Sequence, residues 1–351
     1  MHPNPVLRLA APRVATTGPR TALLCGLALV AAGLLGSAWA RADSANTVTR
    51  PSVPAVPATA ASAAAGSVPA VFDGVMRIVA IGDIHGDFEK FTAVLSLCQI
   101  TDAQGRWVAG STHMVQTGDV LDRGPDSKKV MDRLMELEAQ ATKAGGRVHA
   151  LLGNHEYMVS MGDLRYVSDG ELAAFGEGPR GTPIPQAPLG TFPKFRAAFS
   201  KDGKYGRWLF GHNAIVKING TLFMHGGLSP RYARRNIVEL NDAIRAELRG
   251  ERDARMGVGA DPEGPLWFRG LAESLPPQVL DAYLPQLFAA QSARRIVMGH
   301  TIQDQGISLR AGERIALIDV GMSRQTINGA PSCLVIEPAG APGSDRVTIR
   351  R

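Results

Sequence analysis

Short apolar runs rich in β-branched residues recur along this chain, and they constrain its fold more than any other feature. Runs of this length, separated by turn-forming residues, are typical of buried β-strands. We therefore predict strands at residues 77–81, 113–116, 148–152, 221–224, 295–298, 315–318 and 332–336.

Helical patterns lie between some of these runs. Apolar residues recur at helical spacing in three segments, 88–98, 130–137 and 237–248, which we predict to be helices. Asp126 or Ser127 can cap the second helix, and Gly250 can end the third. Strands that alternate with helices indicate an α/β protein whose sheets are covered by helices.

The first five strand runs end in the same way. Each is followed by Asp, His or Asn next to glycine: Gly82-Asp83-Ile84-His85-Gly86, Gly118-Asp119-Val120-Leu121-Asp122-Arg123-Gly124, Gly153-Asn154-His155-Glu156, His225-Gly226-Gly227 and Gly299-His300-Thr301. Ligands of open α/β sheets bind beyond the carboxyl ends of the strands. We therefore expect these five ends to converge on one site.

The residue types at these ends are suited to a pair of divalent metal ions. Asp and His supply oxygen and nitrogen ligands for Mn, Fe or Zn, and no cysteine lies among them. Asp83 and His85 are two residues apart, so their side chains leave an extended segment on the same side. Two-metal hydrolases also need a carboxylate that bridges ions about 3.5–4 Å apart.

In this order, the motifs resemble those of the calcineurin-like metallophosphoesterases, and most closely the phosphoprotein phosphatase branch. Two further stretches are similar to the bacterial Shewanella-like phosphatases: Tyr205-Gly206-Arg207-Trp208-Leu209 and Pro265-Leu266-Trp267-Phe268-Arg269-Gly270. The resemblance covers residues 75–322. It implies a four-layer α/β/β/α sandwich, in which two mixed sheets face each other and helices lie outside.

The resemblance also implies which residues hold the metals. Asp83, His85 and Asp119 would bind the first ion, and Asp119 would bridge to a second ion held by Asn154, His225 and His300. A hydroxide between the two ions would attack phosphorus in line. The expected ions are Mn²⁺, with Fe or Zn as alternatives, because such ligand sets accept several metals.

Four further residues receive roles from the same motifs. His155 is expected to protonate the leaving oxygen as general acid, with Asp122 orienting its imidazole. Arg123 and Arg269 are expected to bind the phosphoryl oxygens, because a guanidinium can donate two parallel hydrogen bonds.

The resemblance predicts hydrolysis of phosphomonoesters, with a phosphoprotein carrying phosphoserine, phosphothreonine or phosphotyrosine as the substrate. The stretch Pro125-Asp126-Ser127 also occurs in relatives that cleave dinucleoside polyphosphates, so small phosphorylated metabolites are an alternative substrate class. A protein that binds metal or phosphate without catalysis is a third hypothesis. Loss of a metal ligand or of His155 would indicate it, and the sequence retains all of them.

The N-terminal part of the chain has a different composition. Residues 1–42 combine a basic start, an uncharged run at 21–40 and small residues at its end, which predicts a signal peptide. The run is also long enough to be an uncleaved membrane anchor. Residues 43–71 are predicted to be an Ala- and Pro-rich linker, and 72–351 the metallophosphoesterase domain. We therefore expect a periplasmic protein, or one anchored in the inner membrane and facing the periplasm.

The net charge of the chain limits the kinds of partner it can bind. The chain carries +6, but residues 1–42 contain four arginines and no acidic residue, so the remainder carries only +2. We thus expect no nucleic-acid partner, and a membrane partner only if the N-terminal segment stays uncleaved.

Two cysteines lie in the predicted domain. In an oxidising compartment Cys98 and Cys333 could pair, or both could be buried free thiols.

Overall fold

The computed structural model describes residues 68–179, 190–340 and 344–351. The predicted signal peptide and most of the predicted linker lie outside these residues. The strands are β1 (Val71–Phe72), β2 (Ile78–Ile81), β3 (His113–Gln116), β4 (Arg147–Ala150), β5 (Ile215–Ile218), β6 (Thr221–Met224), β7 (Arg295–Met298), β8 (Ser308–Arg310), β9 (Ile315–Leu317), β10 (Cys333–Pro338) and β11 (Asp345–Arg350). The helices are α1 (Phe88–Leu97), α2 (Ser127–Lys143), α3 (Asn154–Ser160), α4 (Asp169–Ala174), α5 (Pro193–Phe199), α6 (Lys204–Leu209), α7 (Ile237–Leu248) and α8 (Pro277–Gln291). Within the described ranges, no helix has the length and apolar content needed to cross a bilayer.

Two mixed sheets form the centre of the fold. Their strand orders are β1-β5-β6-β7-β9-β8 and β11-β10-β2-β3-β4. In the smaller sheet β2, β3 and β4 run parallel to one another, and in the larger sheet β6, β7 and β9 do the same. Since parallel strands end at the same edge, each sheet places three carboxyl ends together.

Side chains that alternate along the strands build two cores. Phe223 and Val297 of the larger sheet share one core with the smaller sheet and with the buried faces of α1 and α2. Their neighbours Leu222 and Ile296 face the other way and share the second core with α7 and α8. The order of layers is therefore helix, sheet, sheet, helix, and the expected four-layer fold is confirmed.

The elements agree with the sequence pattern where that pattern is strongly periodic. The strands expected at 113–116, 221–224 and 295–298 have the predicted ends, and α1, α2 and α7 are the three predicted helices. The run 148–152 stops being a strand at Ala150, because the amide of Leu152 bonds to the carbonyl of Asn213 and no longer to the neighbouring strand. The first strand begins at Val71, one residue before the expected start of the domain.

Cys98 and Cys333 form a disulfide in the structure. Cys98 directly follows the last residue of α1, Cys333 begins β10, and their Cα atoms are 6.6 Å apart. Both residues are fully buried. The sequence was compatible with either a disulfide or two free thiols. The fold decides between them, because it places the end of α1 beside the start of β10.

Removal of this disulfide is expected to lower the free energy of unfolding by about 2–5 kcal/mol, because a cross-link between distant residues restricts the unfolded chain. The two cysteines are separated by 235 positions. Urea unfolding of the oxidised protein, the reduced protein and the Cys98→Ala/Cys333→Ala variant measures the change. Equal unfolding midpoints for the oxidised and reduced forms would contradict the prediction.

Candidate metal centre and active site

The predicted ligands lie where the carboxyl ends of the parallel strands from both sheets meet. β2 leads to Asp83 and His85, β3 to Asp119, β4 to Asn154, β6 to His225 and β7 to His300. All six side chains are buried. Asp119, Asn154 and His300 also line a cleft of about 620 Å³ that opens to solvent. The structure thus brings together all five strand ends that the sequence predicted to converge.

Asp119 is at the centre of this group. Its Oδ2 lies 3.2 Å from Nε2 of His225, 3.6 Å from Nε2 of His85 and 3.8 Å from Nε2 of His155. Its Oδ1 accepts a hydrogen bond of 3.1 Å from the backbone amide of His155. Burial opposes ionisation of Asp119, but the neighbouring imidazoles of His225 and His155 outweigh it and hold the pKa of its carboxyl well below the usual range.

Two three-residue groups that share Asp119 have the geometry of metal sites. The ligand atoms of His85, Asp119 and His155 lie within 4.8 Å of one another, and so do those of Asp119, His225 and His300. Asn154 adjoins the second group, because its Oδ1 is 2.8 Å from Nε2 of His225.

Asp83 lies beside these groups rather than within either of them. Both of its oxygens accept hydrogen bonds of 3.2 Å from the backbone amide of His300, and Oδ1 is 3.9 Å from Nδ1 of His225. Burial and the neighbouring carboxylates of Asp319 and Asp119 raise the pKa of Asp83 well above its usual range.

Backbone carbonyls orient two of the predicted histidine ligands. Nδ1 of His85 contacts the carbonyl of Leu121 at 2.9 Å, and Nδ1 of His225 contacts the carbonyl of Thr117 at 3.0 Å. When a neutral ring donates its Nδ1–H to such a carbonyl, Nε2 is the nitrogen left to bind a metal, and Nε2 of both rings faces Asp119. Burial lowers the pKa of His85 to about 3, so its imidazole is neutral at physiological pH.

The charge balance of the site fits divalent cations. Asp83, Asp119 and Asp319 are each at most 3% exposed, and within the described ranges no Lys or Arg forms an ion pair with any of them. A cluster of buried carboxylates needs compensating positive charge. Divalent metal ions would supply that charge, and the donor set of carboxylates, imidazoles and one amide suits them.

Glycines beside the ligands allow the backbone to approach them closely. A Cβ on Gly153 would lie 2.2 Å from Oδ1 of Asp119, and a Cβ on Gly299 would lie 2.3 Å from Oδ1 of Asp83. Any side chain at these two positions would therefore displace a carboxylate of the site.

Two buried acids of the site received no role from the sequence. Glu156 accepts hydrogen bonds of 2.8–3.1 Å from the amides of Asp119, Val120, Leu121 and Gly153, and so holds the loop that carries Asp119. Asp319 follows β9 and lines the cleft. An Asp does follow the predicted strand at 315–318 directly, but without the adjacent glycine that marks the five ligand motifs.

His155 and Asp122 form a pair at the cleft wall. Nδ1 of His155 is 2.5 Å from Oδ2 of Asp122, and Asp122 is fully buried. Burial alone would lower the pKa of His155, but the carboxylates of Asp119 and Asp122 outweigh it and raise that pKa. The imidazole is therefore able to hold a proton on Nε2, the nitrogen that Asp122 does not engage.

Arginines and aromatic rings line the rest of the cleft, which also contains Tyr166 and Trp267. The guanidinium of Arg123 lies 5.2 Å from the ring centre of Tyr166. Arg269 is partly engaged, since its Nη1 donates to the carbonyl of His300 at 2.6 Å and to Oγ1 of Thr301 at 3.1 Å. Both predicted phosphate-binding arginines thus lie at the cleft, with Arg269 anchored to the His300 loop.

Comparisons with known proteins agree with this arrangement. A family model described as calcineurin-like phosphoesterase matches residues 76–304. The chain is 32% identical over 298 residues to Shewanella-like protein phosphatase 2 of Arabidopsis thaliana, with 76% of each chain covered. It is 27% identical over 178 residues to a symmetrical bis(5'-nucleosyl)-tetraphosphatase of Neisseria gonorrhoeae, which covers 50% of this chain and 52% of that protein.

A solved structure extends the comparison to the fold. The cold-active protein-tyrosine phosphatase of a psychrophilic Shewanella species is 29% identical, has a TM-score of 0.65, and covers 80% of this chain and 82% of its own. The match spans all five strand-end motifs, so the family predicted from the sequence is confirmed. The chain belongs to the calcineurin-like phosphoesterases and is a metal-dependent phosphatase similar to the Shewanella-like protein phosphatases.

Proposed function

We propose that this protein is a two-metal phosphomonoesterase that acts on phosphoproteins and prefers phosphotyrosine. The observation that carries the proposal is the position of Asp119, whose carboxylate belongs to two adjacent metal-site groups at the floor of an open cleft. Asp83 and His85 would complete the first site, and Asn154, His225 and His300 the second.

The remaining residues account for the chemistry of the reaction. When bound, two divalent ions polarise the phosphoryl oxygens and lower the pKa of water. Arg123 and Arg269 orient the phosphoryl group through their guanidinium N–H groups. As the P–O bond to the leaving group breaks, Nε2 of His155 gives its proton to the leaving oxygen, and Asp122 stabilises the imidazolium before that transfer.

The preference for an aryl phosphate is supported by the cleft wall. Tyr166 and Trp267 lie beside the proposed phosphate-binding arginines, where an aromatic ring of the substrate would contact them. The similar Shewanella protein is itself described as a protein-tyrosine phosphatase.

A substrate panel tests the proposal. The full chain, expressed for export and loaded with Mn²⁺, is assayed with p-nitrophenyl phosphate, matched phosphotyrosine and phosphoserine peptides, and diadenosine tetraphosphate. We expect the highest kcat/KM on the phosphotyrosine peptide. A higher kcat/KM on diadenosine tetraphosphate would overturn the proposed substrate class, and no turnover with two metals bound would favour a binding protein.

Dinucleoside polyphosphates are the second candidate substrate. The tetraphosphatase of Neisseria gonorrhoeae matches half of this chain, and Arg165 adds a third guanidinium to the cleft beside Arg123 and Arg269. Several arginines around one cleft suit a substrate with several phosphates.

Metal identity and location are further parts of the proposal. We propose Mn²⁺ in both sites, with Fe or Zn as alternatives, and metal analysis of the exported protein tests this. We also propose a periplasmic location. The disulfide between Cys98 and Cys333 supports it, because disulfides persist in oxidising compartments. Cell fractionation with detection of the mature N-terminus distinguishes a cleaved signal peptide from an anchor.

A further inference from the structure

One wall of the cleft is an irregular loop. Residues 257–268, all of which the structure describes, contain neither helix nor strand and lead directly to Arg269. We call them the Trp267 loop, and its residues Pro262 and Trp267 line the cleft. Since such a loop has no ladder of its own to satisfy its backbone polar groups, other parts of the chain must bind them.

The carboxylate of Glu247 in α7 supplies these bonds at the start of the loop. Glu247 is 3% exposed. Its Oε1 accepts a hydrogen bond of 2.8 Å from the amide of Val258, and its Oε2 accepts one of 2.9 Å from the amide of Gly259. A Cβ on Gly257 would lie 2.3 Å from Cδ of Glu247, so the loop packs directly on this carboxylate. Without Glu247 both buried amides would lack an acceptor.

Gly259 passes this anchorage on to the aromatic side chain in the cleft. Its amide is held by Glu247, and its carbonyl accepts a hydrogen bond of 2.8 Å from Nε1 of Trp267. The indole has no other N–H, so this bond limits how the ring can turn. The orientation of Trp267 therefore depends on Gly259, whose own position depends on Glu247.

Tyr157 connects the same carboxylate to α3, the helix that carries His155. Its hydroxyl lies 3.1 Å from Oε2 of Glu247. Burial and the charge of Glu247 raise the pKa of Tyr157, so the hydroxyl keeps its proton and donates it. A Cβ on Gly259 would lie 2.1 Å from Cε2 of Tyr157, which means that the ring packs against the loop. Glu247 thus fixes the Trp267 loop relative to α3.

We propose that Glu247 is a positioning residue that holds Trp267 in place to contact the aromatic ring of a phosphotyrosine substrate. Glu247 does not line the cleft, so it acts through Trp267. Arg269 has separate bonds to the carbonyl of His300 and to Thr301, so phosphate binding does not depend on Glu247. This inference rests on the proposed function, because it assigns the phosphotyrosine preference to the position of Trp267.

The test compares matched phosphotyrosine and phosphoserine peptides with the full-length, Mn²⁺-loaded protein. Glu247→Met keeps the length of the side chain but removes both acceptors. It is expected to raise KM about fivefold for the phosphotyrosine peptide and less than about twofold for the phosphoserine peptide, because only the former has a ring to contact Trp267. The kcat values should stay within about twofold, since the lost contact contributes to binding.

Two further variants test the route of the effect. If Glu247 acts through Trp267, the double variant Glu247→Met/Trp267→Ala should have the same KM values as Trp267→Ala alone. Glu247→Gln keeps one acceptor oxygen and should show a smaller shift in the same direction, and it serves as the test variant if Glu247→Met does not fold. Glu239→Met, an exposed position on the same helix, is the matched control and should keep both wild-type KM values.

Three results would overturn the inference. The first is an equal rise in KM for the two peptides, which would show a merely structural role. The second is additivity of the Glu247→Met and Trp267→Ala effects, and the third is an unchanged ratio of the two KM values in both Glu247 variants. These results leave the wild-type preference for phosphotyrosine intact and refute only the role of Glu247. A wild-type protein without that preference would refute the proposed function, and the inference with it.

Discussion

Replacing Asp119 with asparagine is expected to lower kcat by about a thousandfold or more, because one carboxylate serves both proposed metal sites. Its Oδ2 is 3.2 Å from His225 on one side and 3.6 Å from His85 on the other. Asparagine has nearly the same shape but no charge, so both sites would lose an anionic ligand at once. The metal content should fall below two ions per chain.

The Asp119→Asn effect is measured by single-substrate kinetics and metal analysis on one preparation. Asp202→Asn is a matched control, since the side chain of Asp202 is 80% exposed and lies in a surface ion pair with Lys201. The control should keep wild-type activity and metal content. Full activity of the Asp119→Asn variant would contradict the bridging role of Asp119 and the two-metal mechanism that depends on it.

Replacing His155 with asparagine is expected to slow turnover by about a hundredfold, because a general acid contributes that much or more to proton transfer. The imidazole stands 2.5 Å from Asp122 and reaches the cleft with its other nitrogen. Both proposed metal sites keep all their assigned ligands in this variant, so two ions should remain bound.

This second prediction separates the general-acid role from a ligand role. In the structure His155 also belongs to one of the two metal-site groups, together with His85 and Asp119. Loss of one ion in His155→Asn would show that His155 is a ligand, and unchanged kcat would exclude it as the acid. His212→Asn, a histidine outside the cleft that pairs with Glu138, is the matched control.

Local sequence pattern predicted the central strands well because a strand buried on both sides has an unbroken apolar run. β5 and β11 were not predicted. β5 contains Lys217, and β11 alternates exposed residues such as Arg346 and Thr348 with partly buried ones. Lys217 thus interrupts the apolar run of a strand that is otherwise buried, and the mixed composition of β11 makes its identity depend on its partner strand β10.

The residues of the candidate site also divide into those that the sequence predicted and those that it did not. The ligand residues could be predicted because each strand of a parallel set must end at the same edge, so five polar ends in one chain have few other places to go. Asp319 also follows a strand, but no motif flanks it, so the sequence alone did not identify it as a site residue.

The sequence by itself determined the class of fold, the family and the group of residues that gather at the strand ends, since these follow from local periodicity and from motif order. Tertiary structure alone decided the pairing of Cys98 with Cys333 and the way Glu156 holds the Asp119 loop. These depend on contacts between segments far apart in the chain. The energy of such a contact is set by distance and burial, which no local pattern of residues encodes.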